Sequence, residues 1–119
     1  MTTTRRSILH MLTPMAQMSP FDVNMAVDAG FDVVVPYTHV ESSQVTNLVQ
    51  DAIFSRGPGG VKRTAIFIGG RDLGQADDML NDARKAMVPP FEVSVFADPS
   101  GAYTTAAAMV ACVEKALRD

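Results

Sequence analysis

The chain has 119 residues, 47% of them hydrophobic and 19% charged, enough for one domain with its own core, which excludes a disordered or low-complexity chain. Thirteen acidic against ten basic residues leave a net charge of −3, which argues against a polyanion-binding surface and drops nucleic acid from the expected partners. Cys112 is the only cysteine, so neither an intrachain disulfide nor a cysteine-built metal cluster can form, and no apolar run of about 18 residues is present to span a membrane.

The first apolar run, Ile8 to Leu12, reads as a strand stopped by Thr13-Pro14. The stretch before it holds Arg5 and Arg6 but too little apolar length for a signal peptide, so a cytoplasmic protein is expected. A helix then begins at Ser19-Pro20, with Ser19 as cap, Pro20 at the first helical position and Asp22 where a capping-box carboxylate would sit. Phe21, Met25 and Ala29 form its apolar stripe, and Gly30 ends it.

The second strand is expected from Phe31 to Val35, its valine run suited to burial on both faces. Val45, Leu48, Val49, Ala52 and Ile53 keep strict helical spacing, and Gly57 to Gly60 reads as a sharp loop after Arg56. A third strand, Thr64 to Ile68, breaks at Gly69-Gly70. Asp72 and Gln75 then open a helix whose stripe is Ala76, Met79, Leu80, Ala83 and Met87. A fourth run, Phe91 to Ala97, ends in Asp98-Pro99-Ser100-Gly101, and a last helix from about Thr104 puts Ala106, Met109, Val110, Val113 and Leu117 on one face.

Four strand–helix units in succession predict a three-layer α/β/α sandwich on a parallel sheet of about four strands, one domain over residues 1–119. Ile66, Phe67, Val34 and Val95 are expected to be fully buried. Ligands in such folds bind beyond the carboxyl ends of the strands. That selects Thr13-Pro14-Met15, Tyr37-Thr38-His39, Gly69 to Asp72 and Asp98 to Thr105 as one polar edge. The glycine pair is not a dinucleotide fingerprint, since Gly69-Gly70-Arg71-Asp72-Leu73-Gly74 lacks the G-x-G-x-x-G spacing, and no phosphate loop occurs anywhere.

Asp98 and Asp22 each admit two readings: a turn or capping residue, or an acceptor for a heterocycle offering adjacent N–H groups. His10 reads as a satisfied histidine within a strand, His39 as a loop residue, and Cys112 as a small buried thiol. Two histidines without patterned carboxylates make no metal site. Met11, Met15, Met18 and Met25 read as core filling, with an adaptable apolar wall for an aromatic ligand as the alternative.

The strings Ser7 to Pro14, Ser19 to Ala26, Ile53 to Arg56, Thr64 to Gly70, Pro90-Phe91 through Gly101 and Thr104 to Ala108, in that order, resemble the N-terminal domain of the NAD(P)-dependent methylenetetrahydromethanopterin dehydrogenases of methylotrophic bacteria. The resemblance covers nearly the whole chain. It implies an oxidoreductase of one-carbon metabolism that oxidises the methylene group carried on tetrahydromethanopterin to methenyl and passes a hydride to NAD(P). It also implies that this domain holds the pterin, while a C-terminal Rossmann domain beyond residue 119 holds the dinucleotide. Thr13, Asp22, Gly69, Gly70, Asp98, Ser100, Thr104 and Thr105 are then the expected pterin-binding residues. Arg56, Lys62, Arg63 or Arg71 would meet the acidic tail of the pterin. No catalytic side chain is assigned, because hydride transfer between carbons needs orientation rather than a general base. By itself the chain is expected to be inactive as a dehydrogenase. The other reading is a non-catalytic pterin-binding domain, or one that forms homo-oligomers through an apolar helix face.

Overall fold

The computed structural model describes residues 5–118. Met1–Thr4, the start of the segment read above as lacking a signal peptide, and Asp119 lie outside the described residues. Strands β1 (Ile8–Leu12), β2 (Val33–Tyr37), β3 (Thr64–Ile68) and β4 (Ser94–Ala97) form one all-parallel sheet in the order β2-β1-β3-β4. Helices α1 (Pro20–Asp28), α2 (Ser42–Phe54), α3 (Gly57–Val61), α4 (Leu73–Lys85) and α5 (Ala102–Arg118) connect or follow the strands. This is the α/β sandwich expected from the alternation of elements.

Register divides the core in two. Leu12, Ile66, Ile68 and Ala97 point to one face and pack with Val45, Val49 and Ile53 of α2, Val61 of α3 and Ala76, Met79 and Ala83 of α4. Leu9, Met11, Ala65 and Phe67 point to the other and meet Met18 and Ala26. β3 is buried along its whole length because it is internal and covered on both faces. Ile66 and Phe67 are buried as expected. Val34 and Val95 are only half-buried, because β2 and β4 are the edges of the sheet.

The second face has one helix, α1, so its layer is thin. Helix α1 docks through Val23 and Ala26, whereas the expected core stripe of Phe21, Met25 and Ala29 is exposed. Its amphipathic signal is weak because apolar side chains occur all round it. On β4, Phe96 is also half-exposed, held edge-on by Phe67 with ring centroids 5.1 Å apart.

Helix α5 departs furthest from expectation. None of its residues is buried, and Met109, Val110, Val113 and Leu117 all lie open. Cys112 is exposed for the same reason, correcting its reading as a buried thiol. Three further boundaries shift. The second strand runs Val33–Tyr37, two residues later than the expected Phe31 to Val35. Gly57 to Gly60 begins a helical turn instead of a loop. The fourth strand starts at Ser94, Phe91 instead making an antiparallel bridge to Val88.

Candidate functional site

The strand order places a crevice before any side chain is considered. The chain leaves β1 toward β2, but leaves β3 toward β4, with α1 and α4 on opposite faces. The carboxyl ends of β1 and β3 therefore bound the point where the connections diverge, which is where open α/β sheets bind ligands. A cleft of about 720 Å³ occupies this position. Its floor is Thr13 and Gly70. One wall is the segment Met15 to Asp22, and the other is Ser100, Gly101, Thr104 and Thr105, with Arg71 at its margin.

The loops that form it are tied together through backbone groups. Gly69 N–H donates to the Leu12 carbonyl at 2.8 Å, Asp98 N–H to Ile68 at 3.0 Å, and Ser100 N–H to Gly70 at 2.8 Å. On the β1 side, Thr13 Oγ1 accepts from Met15 N–H at 3.2 Å, and the Thr13 carbonyl accepts from Val40 N–H at 3.0 Å. Gly70 has φ of 122°, and a Cβ there would lie 3.3 Å from Pro14 Cδ, so both conformation and space call for glycine. Gly69 is buried under Met18 and Asp22, where a Cβ would come within 3.5 Å of the Met18 sulfur.

Of the eight residues expected at the site, Thr13, Asp22, Gly70, Ser100, Thr104 and Thr105 line the cleft. Gly69 and Asp98 lie directly behind that lining. Asp98 is 7% exposed and its carboxylate is fully engaged: Oδ1 accepts the Tyr103 and Thr104 N–H groups at 2.9 and 3.1 Å, and Oδ2 accepts the Thr104 hydroxyl at 2.7 Å. It thus satisfies the first-turn donors of α5 and sets the wall that carries Thr105.

Asp22 is the opposite case. The expected capping box does not form: the Ser19 side chain makes no cap bond, and among the described residues no donor reaches the Asp22 carboxylate. Burial, followed by the negative charge of Asp98, raises its pKa above the ordinary carboxylate value. The cleft therefore contains one half-buried, uncommitted acceptor with two oxygens. The methionines divide by role. Met11 is core, while Met15 and Met18 line the cleft as its flexible apolar wall.

The other expected contacts separate cleanly. Arg56, Lys62 and Arg63 stand at the opposite edge, near the amino ends of β1 and β3. There the Arg56 guanidinium donates to the Arg6 and Arg63 carbonyls at 2.9 and 3.1 Å and to Thr64 Oγ1 at 3.2 Å. That leaves Arg71 as the cation at the cleft. His10 is half-buried, shares a 2.9 Å hydrogen bond with the Tyr37 hydroxyl through Nδ1, and does not reach the site. His39 is exposed on the neighbouring loop with φ of 54°. The first turn of α1 also borders this region: residues 19–22 line the cleft, and among the described residues no backbone carbonyl outside the helix accepts from the Phe21 or Asp22 N–H, a feature the capping pattern in the sequence concealed.

A family model described as methylene-tetrahydromethanopterin dehydrogenase, N-terminal, matches residues 20–100. Over 113 residues the chain is 60% identical to the NAD(P)-dependent methylenetetrahydromethanopterin dehydrogenase of Methylorubrum extorquens, a match covering 95% of this chain and 38% of that protein. Over 101 residues it is 39% identical to the bifunctional protein MdtA of the same organism, covering 85% and 35% respectively. The chain thus spans little more than a third of the length of the curated relatives it matches.

Proposed function

This chain belongs to the family of methylene-tetrahydromethanopterin dehydrogenase N-terminal domains, and from that premise we propose that its cleft is the pterin side of a dehydrogenase site. The observation that carries the reading is Asp22, a desolvated carboxylate without a partner among the described residues, at a cleft walled by methionines on one side and hydroxyls on the other. A reduced pterin is a flat ring system whose amino-pyrimidinone edge offers adjacent N–H donors. Asp22 accepts from that edge, Met15 and Met18 pack on the ring, and Ser100 and Thr105 supply polar contacts across the cleft. Asp98 positions this second wall.

Converting methylene to methenyl removes a hydride from carbon, so the task of this chain is to bind and orient the pterin, not to move a proton. The residues here do not fit a dinucleotide phosphate. Asp72 caps α4, its Oδ1 accepting the Gln75 N–H at 2.9 Å, and so places a carboxylate where a phosphate would need bare N–H groups. We assign NAD(P) to a Rossmann domain outside these residues, and the assembled activity to cytoplasmic one-carbon metabolism. The exposed apolar residues of α5 favour a second reading alongside the first, in which this helix joins copies of the chain into a homo-oligomer.

Calorimetric titration with tetrahydromethanopterin tests the proposal. Saturable binding is expected, with Asp22→Asn weakening it about tenfold through the loss of a charge-assisted hydrogen-bond pair. An unchanged Kd in the folded variant overturns the role of Asp22. Production of reduced nicotinamide from methylenetetrahydromethanopterin and NADP by the 119-residue chain alone would overturn the assignment of the dinucleotide site.

A further inference from the structure

We infer that the hydrogen bond between Tyr103 and Asp77 is a latch that positions the α5 wall of the cleft, which makes both side chains positioning residues for a ligand that neither of them touches. The inference rests on the pterin reading only for the ligand used in its test.

The way α5 is supported carries the argument. The helix has 17 residues, and none of its side chains is buried, so packing within the chain does not set its direction. At 1.5 Å per residue it is a rod of about 25 Å. Its first turn nevertheless supplies Thr104 and Thr105 to the cleft. Just before it, Ser100 and Gly101 both take left-handed backbone, at φ of 53° and 68°, so the chain reverses sharply between β4 and the helix. The carboxylate of Asp98, accepting the Tyr103 and Thr104 N–H groups, fixes the point where α5 begins. A rod held at one end still pivots.

A second point of support lies on α4. The Tyr103 hydroxyl donates to Asp77 Oδ1 at 2.6 Å, the one side-chain hydrogen bond from α5 to another helix among the described residues. Asp77 is carried by a fixed element, since Ala76 and Met79 beside it are buried in the core. Residues two apart on a helix stand about 160° apart round its axis, so Tyr103 grips α4 from behind while Thr105 lines the cleft. The bond to Asp77 first, then loss of solvent and the charges of Asp77 and Asp98, raises the Tyr103 pKa above 10, so the hydroxyl keeps the proton it donates. Both partners are exposed, where a single bond adds little to stability. Its effect is on orientation. Asp98 and Asp77 together give α5 two fixed points, and so set how far Thr105 stands from Asp22 across the cleft.

Geometry and binding are tested separately. For geometry, nitroxides are attached to Cys112, exposed on α5, and to Asn81→Cys, at an exposed position of α4, and the spin–spin distance distribution is measured after dilution with unlabelled chain. Tyr103→Phe and Asp77→Ala are each expected to broaden it, and Asp77→Asn, which keeps an acceptor oxygen, to leave it narrow. For binding, the unlabelled variants are titrated with tetrahydromethanopterin. Tyr103→Phe and Asp77→Ala should each weaken the Kd about fivefold, and the double variant no more than either single one, because one bond is lost in all three. Thermal midpoints should stay within about 2 °C of wild type. A distribution that Tyr103→Phe leaves unchanged, additive losses in the double variant, or a lowered midpoint with an unchanged Kd each overturns the latch while the pterin reading stands. A wild-type chain that binds no tetrahydromethanopterin overturns the pterin reading, and a distribution broadened by Tyr103→Phe then still supports the latch.

Discussion

The two edges of the sheet hold similar side chains and use them in opposite ways. At the amino edge, Arg56 spends its guanidinium on the backbone of residues 6 and 63 and on Thr64, and its own carbonyl accepts from Arg5 at 2.6 Å. Asp32 there accepts both the backbone N–H and the hydroxyl of Ser7 at 2.8 and 3.2 Å. At the carboxyl edge, Asp22 and Arg71 have no such partners among the described residues. An arginine and an aspartate are structural where the chain itself completes their hydrogen bonds, and available to a ligand where it does not. Residue type does not separate the two cases. The inventory of donors and acceptors does.

The largest effect expected from breaking this contrast is at the amino edge. Arg56→Ala removes three hydrogen bonds from a charged, partly buried donor and should cost about 2–3 kcal/mol in urea unfolding. The Kd for tetrahydromethanopterin should stay within about twofold, since nothing in the cleft is touched. A larger loss of affinity would mean that the two edges are coupled and the contrast is false.

Next in size is Asp98→Ala. Three donors lose their acceptor, two of them first-turn N–H groups of α5, with an expected cost of about 1–2 kcal/mol. This residue sharpens the comparison because it belongs to both sides. It is spent internally, as Arg56 is, yet lies directly behind the cleft. Affinity should therefore fall along with stability, whereas Asp22→Asn should reduce affinity and raise the thermal midpoint at neutral pH by removing a desolvated charge. If Asp22→Asn destabilises the chain, Asp22 has a structural partner after all.

The parallel sheet, the four strands and the carboxyl-edge cleft were legible because apolar runs and turn residues alternate in a pattern that only one topology class satisfies. The Asp72 cap was legible as well, because its D-x-x-Q pattern is local. What the sequence hid depends on neighbours distant along the chain. Ser19 and Asp22 spell a capping box as plainly as Asp72 and Gln75 do, yet only the second pair forms its bond. The stripe of α1 was inverted because Phe21, Met25 and Val27 leave little to distinguish its faces, and which face docks depends on Met11 and Phe67 of the sheet. Periodicity identified α5 correctly as an amphipathic helix. Periodicity states that a face is apolar, however, and says nothing of whether this domain provides the surface to cover it.

The smallest expected effect is on pH, and there the two edges should respond with opposite sign. Burial first, and the positive charge of Arg56 second, lower the pKa of His10 below 6.5. As pH falls through 6.5, the unfolded chain takes up a proton that folded His10 refuses, so this group's contribution to stability declines until the folded value is passed. Asp22 behaves in reverse. Its folded pKa lies above the unfolded value of 3.8, so between the two the folded chain holds a proton that the unfolded chain has released. From this group stability rises as pH falls through that window, while the carboxylate proposed above as the pterin's acceptor is lost. Urea melts across the range in His10→Gln and Asp22→Asn separate the contributions, the first variant losing the decline below about pH 6.5 and the second losing the acid gain. Binding titrations add the discriminating measurement. Affinity should weaken on acidification in the wild type and in His10→Gln alike, because the proton that matters for the ligand binds at the carboxyl edge. If His10→Gln instead flattens the pH dependence of binding, the amino edge controls the cleft, and its polar groups are not merely structural.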